Sequence, residues 1–471
     1  MTSQRARAAD GAATEGGRGH PATILLLCLA QFVDVLGVTV VVTALPSMLA
    51  DLHAPASSAA LVVTAYAMLF GGLLMFGARL GDRFGHRRVL LWGLALFAGG
   101  SFLAATATSV VMLVVARGIQ GAAAAVSVPA ALRLLSAVAS DETARRRALA
   151  AWSAAGAAAG ASGFLLGGLV TQVAGWRTVF WLNVPLALLI GAGLRVMLPA
   201  DRGERRHRLD VAGAVLLTTA VMAAVAGASF AERPGRLTAG LQLIVVAVVL
   251  SAAFVWTERR VRAPLVPASA VRHPRLRTGA AASFLNTATT SSAMALATLE
   301  LQSSFGASPA GAGLLLLPFS LFVIAGSTAA ARVLRRRPAR TTIGLGLGLI
   351  AAGDAILLAL RSGIWAVPVG VAVAGLGIGL SSVAATTIGT DVPADLAGTA
   401  AGVLNTAAQL GSALGIAAMF VVAETTAGTG WVISGAYLGW CCAAVAAAAG
   451  AIVLTRRAPA AAVDRPGRRS A

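Results

Sequence analysis

Residues 79–88 read Arg79-Leu-Gly-Asp-Arg-Phe-Gly-His-Arg-Arg88, a turn with four arginines, one aspartate and two glycines set between apolar runs at 58–80 and 89–107. Each run is near the about 20 apolar residues that one bilayer crossing requires. The turn is too short to be a domain and reads as a loop between two spans. The same rule, carried outward, places further spans at 22–46, 110–135, 148–171, 178–198, 211–230, 238–256, 279–301, 310–331, 341–360, 364–387, 398–422 and 431–454. That makes fourteen, with both termini on one side.

Composition supports a membrane reading. Of 471 residues, 58% are hydrophobic and 12% charged, whereas a soluble domain carries about 25% charge. The net charge of +19 comes from 37 basic against 18 acidic residues, and every basic residue is arginine. With the alanine excess, this suggests a high-GC bacterial genome. Nucleic-acid binding needs a basic surface interleaved with stacking aromatics; here aromatics are 5% and the arginines fall in short clusters between apolar runs. A nucleic-acid partner is therefore not expected.

Thirty-one of the 37 arginines fall on the side shared by the termini. Arg177, Arg233, Arg236 and Arg361 lie on the other side, and Arg117 and Arg133 within a span. By the positive-inside rule both termini are cytoplasmic. The first apolar run exceeds the about 7–15 residues of a signal-peptide core and reads as a retained span. Cys28, Cys441 and Cys442 sit in apolar runs, which gives no disulfide framework and no metal pattern.

A weak internal repeat is visible. Residues 78–87 resemble 331–340 at an offset of 253. Six spans with short loops need only roughly 190 residues, so the excess accommodates two extra spans. The organisation expected is a cytoplasmic tail at 1–21, a six-helix bundle at 22–198, two additional helices with their loops at 199–277, a second six-helix bundle at 278–454 and a cytoplasmic tail at 455–471. Parallel halves of this kind hold substrate between them near the midplane.

Three acids lie within spans, Asp34, Glu300 and Asp354. A charge at a helix centre costs at least about 2.5–3.5 kcal/mol, which makes each a functional candidate. Asp34 is the first choice for a proton or cation site; the alternative is a carboxylic acid bonded between helices for packing. Asp354, with no local partner, is equally readable as a second protonatable group or as structural. Glu300 lies near the outer end of its span beside Gln302, where water reaches it. Arg117 is the lone cation deep in an apolar run, and Arg117, Gln120 and Gly121 share one helix face; simple pairing for insertion is its alternative reading. Gln31, Gln120, Asn286, Gln302, Asn405 and Gln409 are candidates to line a substrate cavity. Gly160, Gly163, Gly167 and Gly168, with Gly156, are spaced for close helix approach, as is Gly121, although an Ala/Gly-rich chain also produces such spacing by composition.

No Walker loop, GxSxG or HExxH occurs, and His20, His53, His86, His207 and His273 fall in tails or loops. The chain is read as a transporter rather than an enzyme, with no metal and no cofactor.

These residues resemble the 14-span drug:proton antiporter branch of the major facilitator superfamily over nearly the whole chain. Asp82, Arg83, Gly85, Arg87 and Arg88 are in register with the superfamily's loop 2-3 motif, which implies a conformational latch in which Asp82 pairs with a helix N-terminus or an arginine of a neighbouring span. Arg117-Gly-Ile-Gln-Gly121 resembles the fourth-span motif associated with proton transfer. Gly160 to Gly168 resembles the fifth-span antiporter motif, with Phe164 at its usual proline. Trp176 to Pro185, Glu258 with Pro264-Leu265, and Asn405 to Gly415 are similar to further stretches of that branch. In the first span the family's aspartate position is Gly37 and its asparagine position Val42; Asp34, three residues earlier on roughly the same face, is the candidate substitute.

The resemblance implies an all-α integral membrane protein with the major facilitator fold and 14 transmembrane helices arranged six, two, six. It implies a monomer in the bacterial plasma membrane that exports small amphipathic or hydrophobic molecules, such as drugs, by alternating access. The proton gradient would drive it, with Asp34, Arg117 and Asp354 in coupling. A transporter for one metabolite, or a membrane-embedded lipid-modifying enzyme or scaffold, are the alternatives.

Overall fold

The structure, a computed structural model, describes residues 21–55, 58–199, 201, 210–231, 236–261, 264–393, 396–426 and 435–455. Among these residues the regular structure is helical throughout, as a chain without water to satisfy its backbone requires. Fourteen helices have 19 residues or more: α1 Pro21–Asp51, α2 Ala59–Phe84, α3 His86–Ala105, α4 Val110–Val138, α5 Glu142–Ala174, α6 Trp176–Met197, α7 Val211–Ala231, α8 Leu237–Glu258, α9 Pro274–Ser303, α10 Pro309–Leu334, α11 Ala339–Leu357, α12 Ala366–Gly389, α13 Ala397–Thr426 and α14 Gly435–Thr455.

Local chemistry sets several ends. Ser109 caps α4 by accepting from the Met112 N–H at 3.2 Å, and Ser308 caps α10 by accepting from the Gly311 N–H at 3.1 Å. Asp141 caps α5 through the Ala144 N–H at 2.7 Å, a bond that holds its carboxyl below the usual carboxylate range. Gly85, at φ +95°, turns the chain from α2 into α3 in a single residue.

Fourteen helices stand where fourteen spans are expected, yet length and hydropathy qualify eleven of them to cross a membrane, or twelve if α5, bent by 40°, is one span. The fourteen-span count is thus not established by this criterion. In α7 the described stretch Val211–Gly227 is apolar but too short to qualify. α9 buries Asn286, Thr289, Thr290, Ser292 and Thr298 among its alanines and leucines, which lowers its hydropathy.

Helix pairing repeats. In the first six helices α1 packs on α4, α5 and α6, α2 on α4, and α3 on α4 and α6. In the last six α9 packs on α12, α13 and α14, α10 on α12, and α11 on α12 and α14. The two sets meet along two seams, α2 with α13 and α5 with α10. The additional helices are placed asymmetrically: α7 lies across α2 and α13, and α8 packs on α7.

The core is also divided unevenly. At the end opposite the arginine-rich loops, residues of both sets form one cluster that includes Leu45, Met48, Trp176, Leu296, Leu301 and Trp440. Towards the arginine-rich end the sets keep separate clusters, one around Leu27, Leu90 and Leu135 and another around Ile343, Leu347 and Ala384. There a small cluster of Met75, Ala214 and Leu265 joins α2, α7 and the segment before α9.

Of the six glycines singled out for packing, four sit at tight helix crossings, and Gly156 is in ordinary contact with Gln31 of α1. Gly121 lies against the backbone of Tyr66 in α2, Gly163 against Thr39, Gly167 against Val40 and Thr43 of α1, and Gly168 against Pro309 at the start of α10. Gly160 faces open space. A methyl group at Gly121 has nowhere to go, so Gly121→Ala is expected to cost about 1–3 kcal/mol and to lower the thermal unfolding midpoint of the purified protein. Gly160→Ala should leave that midpoint unchanged or slightly raised. Equal midpoints for the two variants would mean that α2 moves aside without cost.

Candidate functional site

Between the two helix sets lies a cavity of about 250 Å³. Its wall draws on both sets: Thr39 and Val42 of α1, Phe164 of α5, Thr290 of α9, and Phe319 and Ser320 of α10 are among the lining residues. None of the residues lining it is ionisable. Ser320 donates across the seam to the Gly160 carbonyl at 2.8 Å, and the rings of Phe164 and Phe319 meet edge to face at 6.4 Å. Where the resembling motif has a proline, the aromatic ring of Phe164 instead closes the α5–α10 seam. Apolar walls with scattered hydroxyls suit small amphipathic bodies and impose little orientation on them.

Beside the cavity, within the first set, lies a buried polar network. Asp34 on α1 is 4% exposed, and its Oδ2 accepts the Ser127 hydroxyl of α4 at 3.1 Å. One turn on, the Gly37 carbonyl accepts from Arg117 at 3.0 Å. Arg117, 1% exposed, also donates to Gln120 Oε1 at 2.9 Å, and Gln120 donates on to Ser101 of α3 at 2.8 Å. The Arg117 guanidinium stacks 4.7 Å from the Tyr66 ring centre, and the Tyr66 hydroxyl donates to the Asp34 carbonyl at 3.3 Å. A direct Asp34–Arg117 ion pair is not formed. Tyr66 lies between the two residues, its ring against the Arg117 guanidinium and its hydroxyl on the Asp34 main-chain carbonyl, while the Asp34 carboxyl keeps Ser127 as its partner. Neither Tyr66 nor Ser127 was among the residues picked from the sequence.

The six amide side chains expected to line the cavity do not line it. Gln120 belongs to the Arg117 network. Gln31, one turn before Asp34, lies against Gly156 with its Oε1 buried and unpartnered. Asn286 is fully buried and donates weakly to Ser382 at 3.4 Å, while its Oδ1 has no partner; the hydroxyl of cavity-lining Thr290 goes to the Asn286 main-chain carbonyl at 2.6 Å. Gln302 clasps α9 to α1 through the Thr43 carbonyl at 2.9 Å. Gln409 packs its Cβ against Gly71 in the α2–α13 seam, and Asn405 is exposed, bonded to the Ala401 carbonyl of its own helix. Asp354 on α11 is fully buried, with neither carboxyl oxygen partnered, and lies outside the Asp34 network.

The arginine-rich turn is tied down by a residue that sequence reasoning passed over. Asp201 accepts the Arg87 N–H at the start of α3 at 3.1 and 3.2 Å and lies against Gly85, where a Cβ would meet it. A carboxylate at a helix N-terminus is favoured by the helix dipole; here it comes from Asp201, whereas Asp82 approaches His86 at 3.4 Å. Arg83 stacks on Phe84, Arg87 donates to the Arg195 carbonyl, and Arg88 is exposed. Arg79 reaches the Pro264 carbonyl at 3.2 Å. Among the described residues no cluster of side chains could hold a metal ion.

The Major Facilitator Superfamily model matches residues 27–416. The chain is 35% identical to the cephamycin export protein CmcT of Amycolatopsis lactamdurans, over 90% of this chain and 88% of the relative. It is 34% identical to the lincomycin resistance protein of Streptomyces lincolnensis, over 88% and 86%. It is 32% identical to the methylenomycin A resistance protein of Streptomyces coelicolor, over the whole of this chain and 99% of that one. With this family match, the repeated helix pairing and a cavity walled by both helix sets, the chain belongs to the Major Facilitator Superfamily.

Proposed function

We propose that this protein is a proton-coupled exporter of small amphipathic or hydrophobic molecules, working by alternating access in a bacterial plasma membrane. The observation that carries the reading is the cavity shared by the two helix sets, without an ionisable wall, one helix turn from a buried carboxylic acid. Relatives named for antibiotic export or resistance, matched along most of their length, support it. All fourteen helices cross the bilayer in this reading, as six, two and six, with the arginine-rich end and both termini in the cytoplasm. The protein acts as a monomer and uses no cofactor.

In the proposed cycle, Asp34 takes a proton from the outer side and gives it up to the cytoplasm. Tyr66 and the Gly37 carbonyl carry the change in charge to Arg117, and α1 shifts against α4. Asp354, buried without a partner in the second set, is a second candidate for protonation. Asp82, Arg83, Gly85, Arg87 and Arg88 act as the latch between conformations. The membrane potential contributes about 2.3 kcal/mol per charge per 100 mV, added to the pH gradient.

The test is efflux of a panel of antibiotics from proteoliposomes. Export that stops when the pH and voltage gradients are both collapsed supports the reading; export that continues unchanged refutes antiport. Transport of a single metabolite and of nothing else on the panel would favour the specific-transporter alternative.

A further inference from the structure

The segment between α8 and α9 is held by a pair of carboxyl groups that the cycle above does not use. Asp210, immediately before α7, is 7% exposed. Its Oδ1 accepts the Gly213 N–H at 2.8 Å, and its Oδ2 is buried with no partner. Glu258, the last residue of α8, accepts the N–H groups of Leu265 on Oε1 at 3.2 Å and of Val266 on Oε2 at 2.9 Å. Asp210 Oδ2 and Glu258 Oε1 each lie 2.6 Å from the point where Gly213 would carry a Cβ. The two oxygens are therefore within about 5 Å of one another, a separation at which two shielded carboxylates repel strongly. Asp210 Oδ2 lacks a donor, and a proton held between the two carboxyls supplies one.

What this contact holds is mechanically placed. Leu265, 2% exposed, inserts among Met75 of α2 and Ala214 of α7, with Val403 of α13 packed alongside. Arg79, from the turn that opens the latch motif, grips the adjacent Pro264 carbonyl. Residues 264–266 thus form a wedge that binds α2 to α13 at the arginine-rich end, where the two helix sets otherwise keep separate cores. The charged groups on the elements packed around it are Arg79 on α2, Asp210 before α7, and Arg259 and Arg260 after Glu258, Arg260 lying over the Trp256 ring at 4.0 Å; α13 presents Val403 there.

We propose that Asp210 and Glu258 form a second proton-binding site, which holds the 264–266 wedge against α2 and α13 while protonated and releases it when the proton leaves to the cytoplasm. The inference rests on the proton-coupled, cytoplasm-oriented reading given above. With the shared proton in place, Glu258 keeps both linker N–H groups. Once the proton is gone the two carboxylates repel, Glu258 swings from Gly213, and the linker amides and Leu265 lose their seat. Two carboxyls that share one proton act as one unit, so the proposed site needs both residues.

The test is hydrogen–deuterium exchange of the full-length protein in lipid nanodiscs at about pH 6 and about pH 8, corrected for the intrinsic pH dependence of exchange. In the wild-type protein, protection of the Leu265 and Val266 amides should fall by about tenfold for each unit of pH across the transition, the factor a single titrating proton gives. In Asp210→Asn the amide group supplies the missing donor at every pH while its oxygen keeps the Gly213 N–H, so protection should remain high and lose its pH dependence. Glu258→Gln should lose one linker bond and show low protection at both values. Wild-type protection that does not change with pH, or an Asp210→Asn protein that responds as the wild type does, overturns the proposal. The readout involves no transport: a pH-dependent wedge in a protein whose efflux ignores the proton gradient would refute the antiport reading and leave this site standing, and the converse result would separate them the other way.

Discussion

Replacement of Arg117 by methionine is expected to abolish export while the protein remains folded and in the membrane. Among the described residues Arg117 faces no carboxylate within ion-pair distance; its charge is held by the Gly37 carbonyl, the Gln120 amide and the Tyr66 ring. Methionine keeps much of the side-chain length and removes the desolvation cost of a buried charge. Against that stand two hydrogen bonds to a charged group, worth about 1.5–3 kcal/mol each. Net stability should thus shift by no more than a few kcal/mol, whereas the electrostatic link from Asp34 through Tyr66 disappears. A rate loss of roughly a hundredfold corresponds to about 2.7 kcal/mol on the transport barrier. Initial efflux rates, normalised to protein in the vesicle membrane, provide the measurement. Arg117→Lys, which keeps the charge but not the forked donors, should fall between the two. An Arg117→Met protein that exports at the wild-type rate would reduce Arg117 to an insertion and packing role.

Asp34→Asn should separate substrate movement from proton coupling. Asparagine is nearly isosteric, and its Oδ1 can still accept from Ser127, so the α1–α4 contact survives. What it cannot do is gain and lose a proton. Counterflow of labelled substrate across proteoliposomes is expected to persist within a few-fold of wild type, while accumulation driven by an imposed pH gradient is lost. Counterflow, unlike uphill export, needs only the loaded carrier to reorient. Gradient-driven accumulation that survives in Asp34→Asn would move the coupling role elsewhere, with Asp354 the next group to replace.

The places of the helices were legible because lipid leaves an apolar chain no other backbone solution. Within the site, residues stood out only where burial is costly. Asp34 and Arg117 stand out as charges in apolar runs, and the structure brings them into one network. Tyr66 did not stand out, since an aromatic ring in a span reads as packing until its hydroxyl is seen to need an acceptor. The wall of this cavity was not legible for a related reason: the amides of Gln302, Gln120 and Asn405 are taken up by carbonyl and side-chain partners, and Thr, Ser and Phe are among the residues that form it. Asp201 was missed because a loop carboxylate beside four arginines reads as solvated charge, and only the close approach of Gly85 reveals its contact with α3. The low hydropathy of α9 has a related origin, for a helix packed against other helices has less need to be oily.

The placement of α7 and α8 on one side makes the two seams between the helix sets unequal. One seam, α2 against α13, is backed by α7 and then α8, whereas α5 against α10 has no such backing and shows Leu166, Leu169, Leu321 and Phe322 on its outer surface. A body approaching the cavity from the side of α2 and α13 would have to pass two further helices, whereas from the side of α5 and α10 it would meet only the seam closed by the rings of Phe164 and Phe319.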